Sequence, residues 1–187
     1  MSKKKKLITG GDPEAKFTLP GANDFGDADF LLGKDLEVIG TALIEGAINR
    51  ISELAEARIV YLWKRKGSES PRRILGKCQR PTGLLEYFSG ADFVIWLAVN
   101  NCQGLTKWQI EAIVHHELHH AGWVDGGPVM VPHDCECFVA DIQRYGLWKS
   151  DLEKVAEASV KAVQIPFEMP ATSPPSEGEP SSQAAVQ

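Results

Sequence analysis

Long apolar runs are missing from this sequence. No window approaches the roughly 18 to 20 apolar residues that a membrane-spanning helix needs. The basic run at residues 3–6 is not followed by the apolar stretch that a secretory signal would carry. We therefore expect a soluble, cytoplasmic protein with no membrane anchor.

Cysteine is scarce and irregularly spaced. Of the four cysteines, only Cys135 and Cys137 are close in sequence, and a single residue separates them. Zinc knuckles and ribbons usually pair their cysteines as C-x-x-C. We expect reduced, partly buried thiols, rather than disulfides or zinc ligands, at Cys78, Cys102, Cys135 and Cys137.

An excess of positive charge is also missing, because the formal net charge is −5 at pH 7. Bulk charge therefore does not favour a protein that wraps nucleic acid, although local basic patches remain open. The length of 187 residues and the ordinary apolar share of 43% indicate one compact domain with a single hydrophobic core.

The two ends of the chain differ in composition from its middle. Residues 1–30 mix lysine, glycine, aspartate and proline without periodicity, which predicts a flexible N-terminal arm. Residues 166–187 are rich in Pro, Ser, Gly and Glu and bury too little apolar surface to offset their ordering entropy. We expect a folded domain at residues 31–165 and a disordered C-terminal tail at 166–187.

Three short segments rich in β-branched and aromatic residues predict the strands of a small sheet, at residues 57–63, 72–80 and 92–100. Before them, apolar residues at spacings of three and four predict an amphipathic helix from about Asp35 to Leu54. The third strand is apolar on both faces. It lies either at a sheet edge, where an extended peptide could pair with it, or inside the sheet as an ordinary buried strand.

A second helix carries signals at both ends. Thr106 and Gln109 form a capping-box pattern that places the start of this helix near Lys107. Gly122 suits the left-handed position that often ends a helix. Together with the sheet, such helices predict a small α+β domain.

Two further helices are predicted downstream. A short extended stretch reaches Asp134, which is a good N-cap for a helix to Gly146. A last helix is expected from about Lys149 to Val163.

All five histidines lie between residues 115 and 133, and HELHH at residues 116–120 fits H-E-x-x-H. This spacing places two imidazoles one helical turn apart, so that both can bind a single Zn²⁺. Glu117 falls within the apolar stripe of the helix, where a carboxylate is costly unless it has partners or a chemical role. His115 and His119 project elsewhere and are expected to face solvent. The alternative is a polar helix face whose histidines bond only to neighbouring groups.

A catalytic zinc site uses three protein ligands and leaves one position for water. His116 and His120 supply two of them. His133 is the expected third, because it is the remaining histidine and lies between an extended segment and a helix. Asp134 and Glu136 are the competing candidates, and residues of this group that are not ligands are expected to orient an imidazole N–H.

The segments HHELHH, ADFVIWLAVN and PHDCECF together resemble the phage metallopeptidase family, a group of small zincin domains similar to SprT-like proteases. The resemblance covers roughly Leu54 to Gly146. It implies a compact α+β zincin-like domain, with a short sheet, an N-terminal helix, the H-E-x-x-H helix and C-terminal helices. It also implies Glu117 as general base. The Zn²⁺ ligands that it implies are His116, His120 and His133.

The sequence departs from this pattern in two places. Cys137 stands where a second acidic residue is expected, so any role of that carboxylate is lost. The paired C-x-x-C of a DNA-binding zinc ribbon is missing, so the sequence does not support an assignment to DNA repair.

Taken together, these patterns predict a zinc metallopeptidase that hydrolyses peptide bonds with a metal-activated water and Glu117 as base. Its partner would be a protein or peptide substrate, in the host cytoplasm if the protein is phage-encoded. Two alternatives stay open: a zinc-binding regulatory or structural module without turnover, and a DNA-associated SprT-like protease steered by the basic residues 3–6. The sequence leaves the oligomeric state undefined.

Overall fold

A computed structural model of the chain describes residues 6–47, 50–136, 139–147 and 149–164. The chain forms two compact units, Met1–Glu136 and Cys137–Gln187. The limits predicted for the arm, the central domain and the tail remain predictions, and residues 166–187 lie outside the described residues.

The described residues of the first unit form six strands and three α-helices. In chain order its elements are β1 (Phe30–Leu32), α1 (Lys34–Glu45), β2 (Ile59–Lys64), β3 (Gly76–Gln79), α2 (Leu84–Ser89), β4 (Phe93–Ala98), α3 (Lys107–His120), β5 (Ala121–Val124) and β6 (Gly127–Met130). Short 3-10 helices span Ala22–Phe25 and Arg50–Glu56. This architecture confirms the predicted α+β fold class.

Strands β1 to β4 form one sheet in the order β1-β2-β4-β3. Strand β4 runs parallel to β2 and antiparallel to β3, and all six of its residues are buried. It is therefore an internal strand, and its predicted alternative place at the sheet edge is wrong. Strand β3 forms that edge instead.

The three predicted strands are present as β2, β3 and β4, whereas β1 was not predicted. The long helix predicted from Asp35 to Leu54 is interrupted, because α1 ends at Glu45 and a 3-10 helix begins at Arg50. Both helical pieces still contribute their apolar residues to the core. Buried side chains that pack together with α3 and the sheet include Leu36, Ile39, Ile51, Leu54, Ile95, Ile110, Val114 and Leu118.

Helix α3 begins as predicted. The Thr106 hydroxyl accepts a hydrogen bond from the Gln109 backbone N–H at 3.3 Å, and the Gln109 side chain accepts one from the Thr106 N–H at 2.9 Å. The predicted end at a left-handed Gly122 is wrong. Ala121 is already extended, with φ −85° and ψ 134°, and β5 starts there.

Strands β5 and β6 form an antiparallel hairpin directly after α3. Asp125 and Gly126 both have positive φ, at 51° and 76°, as a tight two-residue turn requires. The hairpin returns the chain towards the end of α3, where Val131 N–H donates to the His120 backbone oxygen at 2.8 Å. This return positions the residues that follow β6.

Residues before β1 also contact the rest of the first unit. Leu7 is buried, and the Ile8 N–H donates to the Glu111 carboxylate at 2.9 and 3.1 Å. The Phe17 N–H donates to the Leu105 oxygen at 2.9 Å. The bonds from Ile8 give the buried Glu111 carboxylate a partner.

The second unit contains α4 (Val139–Tyr145) and α5 (Ser150–Gln164). Helix α5 confirms the last predicted helix. A helix start at Asp134 is wrong, because residues 134–136 are not helical, and residues 137–138 lie outside the described part. Among the described helices, none combines the length and apolar character needed to cross a bilayer.

Candidate metal centre

Helix α3 presents His116 and His120 on one side, one turn apart. Their ring centroids are 5.0 Å apart. The capping box fixes the start of α3, and the buried residues Ile110, Val114 and Leu118 fix its rotation against the sheet. The rotation that buries this stripe leaves both imidazoles at the margin of the core.

His133 reaches the same place from the segment after β6. Its Nε2 lies 3.2 Å from the Nε2 of His116, and its ring centroid lies 4.4 Å from that of His120. One ligand atom from each of the three histidines lies within 4.8 Å of the others. The structure therefore brings together the three residues that were predicted as metal ligands.

The histidine triad His116, His120 and His133 suits a divalent metal in both chemistry and spacing. Two nitrogens bound to one tetrahedral Zn²⁺ at about 2.05 Å would lie about 3.3 Å apart, close to the observed 3.2 Å between His116 and His133. Burial is the main cause that lowers the pKa of His116, and the neighbouring histidines lower this pKa further. A lowered pKa favours the neutral imidazole, which is the form that binds metal.

Backbone contacts orient the His120 ring. Its Nδ1 lies 2.8 Å from the Val131 oxygen. A carbonyl can only accept, so Nδ1 donates in this bond, and in the neutral ring Nε2 then keeps its lone pair. This is the arrangement that metal-binding histidines usually show.

Asp134 and Glu136, the alternatives to His133 as third ligand, do not belong to the group of possible metal ligands found among the described residues. Glu136 Oε1 is 3.7 Å from the Nδ1 of His133, on the ring nitrogen opposite to the one that faces His116. Asp134 lies near His119. Burial, His115 and Arg50 lower the pKa of His119, and the charge of Asp134 opposes them. Glu136 is thus placed to orient His133.

Glu117 is buried between α3 and the sheet edge, with 5% of its surface exposed. Burial raises the pKa of this carboxyl, while a hydrogen bond with the Cys78 backbone and the neighbouring His120 partly oppose the rise. Strand β3 passes close by, and a Cβ added at Gly76 would lie 3.1 Å from Glu117 Oε1. Glycine at this position therefore leaves room for the carboxylate.

Sequence reasoning did not identify Gly76 and Cys78 as neighbours of Glu117. One signal was available, because a glycine inside a strand often marks close approach of another group. Cys78 is buried, as predicted for the thiols, and burial together with the charge of Glu117 raises its pKa to about 12.

The second histidine pair, His115 and His119, lies on another side of α3. Their ring centroids are 4.6 Å apart, and neither residue belongs to the triad. His115 is exposed, as predicted, while His119 is half-buried and its backbone oxygen accepts a hydrogen bond from Arg50 at 2.6 Å.

A cleft of about 680 Å³ opens beside the histidine triad. Helix α3 forms one wall, and β3 with the segment before it forms the other. The cleft is lined by Arg72, Arg73, Ile74, Leu75, Gly76, Lys77, Cys78, Ala112, Ile113, His116, Glu117, His120, Met130 and His133. The triad and Glu117 therefore share one accessible space.

Comparison with known proteins agrees with the resemblance noted in the sequence. Searches of curated proteins and of solved structures give no match. The model of one family, described as "Putative phage metallopeptidase", matches residues 29–160, a span that includes α3 and His133. The chain therefore belongs to this metallopeptidase family.

Proposed function

We propose that this protein is a zinc-dependent metallopeptidase whose ligands are His116, His120 and His133. The observation that carries the proposal is the convergence of three imidazoles within 4.8 Å at the mouth of a cleft that also holds Glu117. Membership of a metallopeptidase family supports it independently. Zinc is favoured because three imidazole nitrogens suit it better than Mg²⁺ or Ca²⁺, which prefer oxygen ligands.

The chemistry divides between the ion and Glu117. A bound Zn²⁺ would supply Lewis acidity, which polarises a carbonyl and makes water more acidic. Glu117 accepts the proton of the attacking water and passes it to the amine that leaves. Burial raises the pKa of this carboxyl, which makes Glu117 a stronger base than an exposed glutamate.

Strand β3 offers a place for the substrate backbone. Among the described strands it pairs with β4 alone, and its residues Gly76, Lys77 and Cys78 line the cleft that holds Glu117. An extended peptide can add to such an edge through main-chain hydrogen bonds. The role considered for β4 in the sequence therefore passes to β3.

One substitution separates a peptidase from a metal-binding module without turnover. Glu117→Gln removes the base and leaves the three imidazoles in place. We expect it to retain one zinc per chain and to lose cleavage of a fluorescently labelled denatured protein by at least about 100-fold. The matched control is Glu86→Gln on the exposed helix α2, which should keep both properties.

Metal content and cleavage are measured on the same preparations. A zinc-loaded wild type that cuts no denatured protein would contradict the peptidase and favour the module. Full activity in Glu117→Gln would reject Glu117 as base.

A further inference from the structure

The wall of the cleft formed by β3 is basic, in contrast to the chain as a whole. Residues 71–83 contain four cationic side chains and no carboxylate, although the net charge of the protein is −5. Three of these cations, Arg72, Arg73 and Lys77, line the cleft. Glu117 is the only carboxylate among the residues that line it, and this carboxylate is buried.

Some cations of this wall are held by the protein itself. The Arg73 guanidinium donates to the Asn101 backbone oxygen, and Arg80 donates to the Pro128 oxygen at 3.0 Å. Arg72 and Lys77 are exposed, and within the described part of the chain no carboxylate forms an ion pair with either. The Arg72 charge is therefore available to a ligand in the cleft, and the Lys77 charge to a ligand that reaches the outer face of β3.

The course of β3 relates these charges to the reaction centre. Gly76 and Cys78 lie beside Glu117, so Lys77 between them points to the opposite face of the sheet, across from Trp96. Arg72 lines the cleft and precedes β3 in the chain, so it lies near the end of the cleft at which β3 begins. A peptide paired antiparallel with β3 would therefore carry the residues after its scissile bond towards Arg72.

We infer that the cleft selects peptide segments with Asp or Glu within about four residues after the scissile bond. The inference rests on the proposed peptidase function and adds its substrate class. Arg72 provides the main attraction, and Lys77 adds to it from the outer face of β3. Because both side chains are solvated, the preference is modest, about three- to tenfold, and it weakens as salt rises.

A peptide library prepared by digesting a proteome tests the inference. The zinc-loaded protein cuts the library, and mass spectrometry counts Asp and Glu at the four positions after each cut relative to the library background. We expect about threefold enrichment at 20 mM salt, and less at 500 mM salt. Arg72→Glu and Arg72→Gln should bring the enrichment close to background, with Lys77→Glu intermediate. Lys34→Glu, at an exposed position at the start of α1, alters the net charge equally and should keep the enrichment.

The outcomes separate this inference from the function on which it rests. Cuts without acidic enrichment, with enrichment only before the scissile bond, or with enrichment unchanged in Arg72→Glu would overturn the inference and leave the peptidase standing. If the zinc-loaded protein cuts no peptide of the library, both the inference and the proposed peptidase function are overturned. Binding of a single-stranded DNA oligonucleotide that is lost in Arg72→Glu would assign the basic wall to nucleic acid and overturn the acidic-peptide inference.

Discussion

His120 and Val131 are joined twice: the Val131 N–H donates to the His120 oxygen, and the Val131 oxygen lies 2.8 Å from the His120 Nδ1. The first bond ties the segment after β6 to the end of α3. The second fixes the tautomer and orientation of a ring in the histidine triad. The two bonds therefore bring His133 to the histidine triad and orient His120 for its proposed role as a metal ligand.

The two histidine pairs of α3 allow a matched test of metal binding. We expect His116→Ala with His120→Ala to abolish stoichiometric zinc, because only this pair converges with His133. The double variant His115→Ala with His119→Ala should keep one zinc per chain. Elemental analysis of purified protein measures both.

Thermal unfolding provides a second readout of the same pairs. EDTA should lower the Tm of the wild type and of the His115/His119 variant by roughly 5 °C, and leave the His116/His120 variant unchanged, because a bound ion stabilises only the folded state. Equal zinc content in the two double variants would contradict the assignment of the ligands.

The third ligand can be assigned by comparing His133→Ala with Glu136→Ala. We expect His133→Ala to lose stoichiometric zinc, because its Nε2 faces His116. Glu136→Ala should retain zinc with about tenfold weaker affinity, because this carboxylate lies 3.7 Å from the far nitrogen of the His133 ring. Titration with a chromophoric chelator gives the affinities. Loss of zinc in Glu136→Ala alone would show that Glu136 is the third ligand and that His133 is not.

Local sequence signals were sufficient to predict the helix that carries His116 and His120. Thr106 and Gln109 are three residues apart, and His116 and His120 are four apart, so both relationships follow from helical periodicity. The position of His133, the proposed third ligand, was harder to predict. His133 is 13 residues from His120, and only the hairpin at Asp125 and Gly126 brings it back. The Asp-Gly pair is a hairpin signal, and the first strand of this hairpin begins at Ala121, which ends the helix before Gly122.

Strand order could not be read from local patterns. A fully apolar strand such as β4 fits an internal place and an edge place equally well until its partners are known. The closeness of Gly76 to Glu117 likewise depends on β3 packing against α3, because these residues are distant in sequence. Such relationships arise from tertiary packing.

Gly76→Ala tests the space beside the proposed base. The new Cβ would lie 3.1 Å from Glu117 Oε1 and 3.2 Å from the Trp96 oxygen, so we expect the carboxylate to move by a few tenths of an ångström. Peptidase kcat should fall about tenfold, while zinc content is retained. Gly127→Ala is the control, since its nearest contact would be an ordinary 3.8 Å. Equal kcat in the two variants would show that Glu117 tolerates the methyl group.

Because the thiol of Cys102 is buried, we expect the protein to lose stability in alkali. Burial raises its pKa from 9.0 to about 11, with Arg73 and the Ala98 backbone opposing the rise. Between these values the unfolded chain ionises the thiol and the folded chain does not, so the free energy of unfolding falls as pH rises. From pH 8 to pH 10 the Cys102 thiol alone should lower the free energy of unfolding by about 1 kcal/mol.

Urea unfolding under reducing conditions, compared between wild type and Cys102→Ala, measures this contribution. Cys102→Ala is expected to be less stable at pH 8 because a fully buried side chain is shortened. The difference in the free energy of unfolding between the two proteins should narrow by about 1 kcal/mol at pH 10, because only the wild type carries the titrating thiol. Cys78 and Tyr61 also have raised pKa values, but both proteins share them and their effect cancels. A constant gap across this range would mean that the Cys102 thiol ionises in the folded protein as readily as in the unfolded chain.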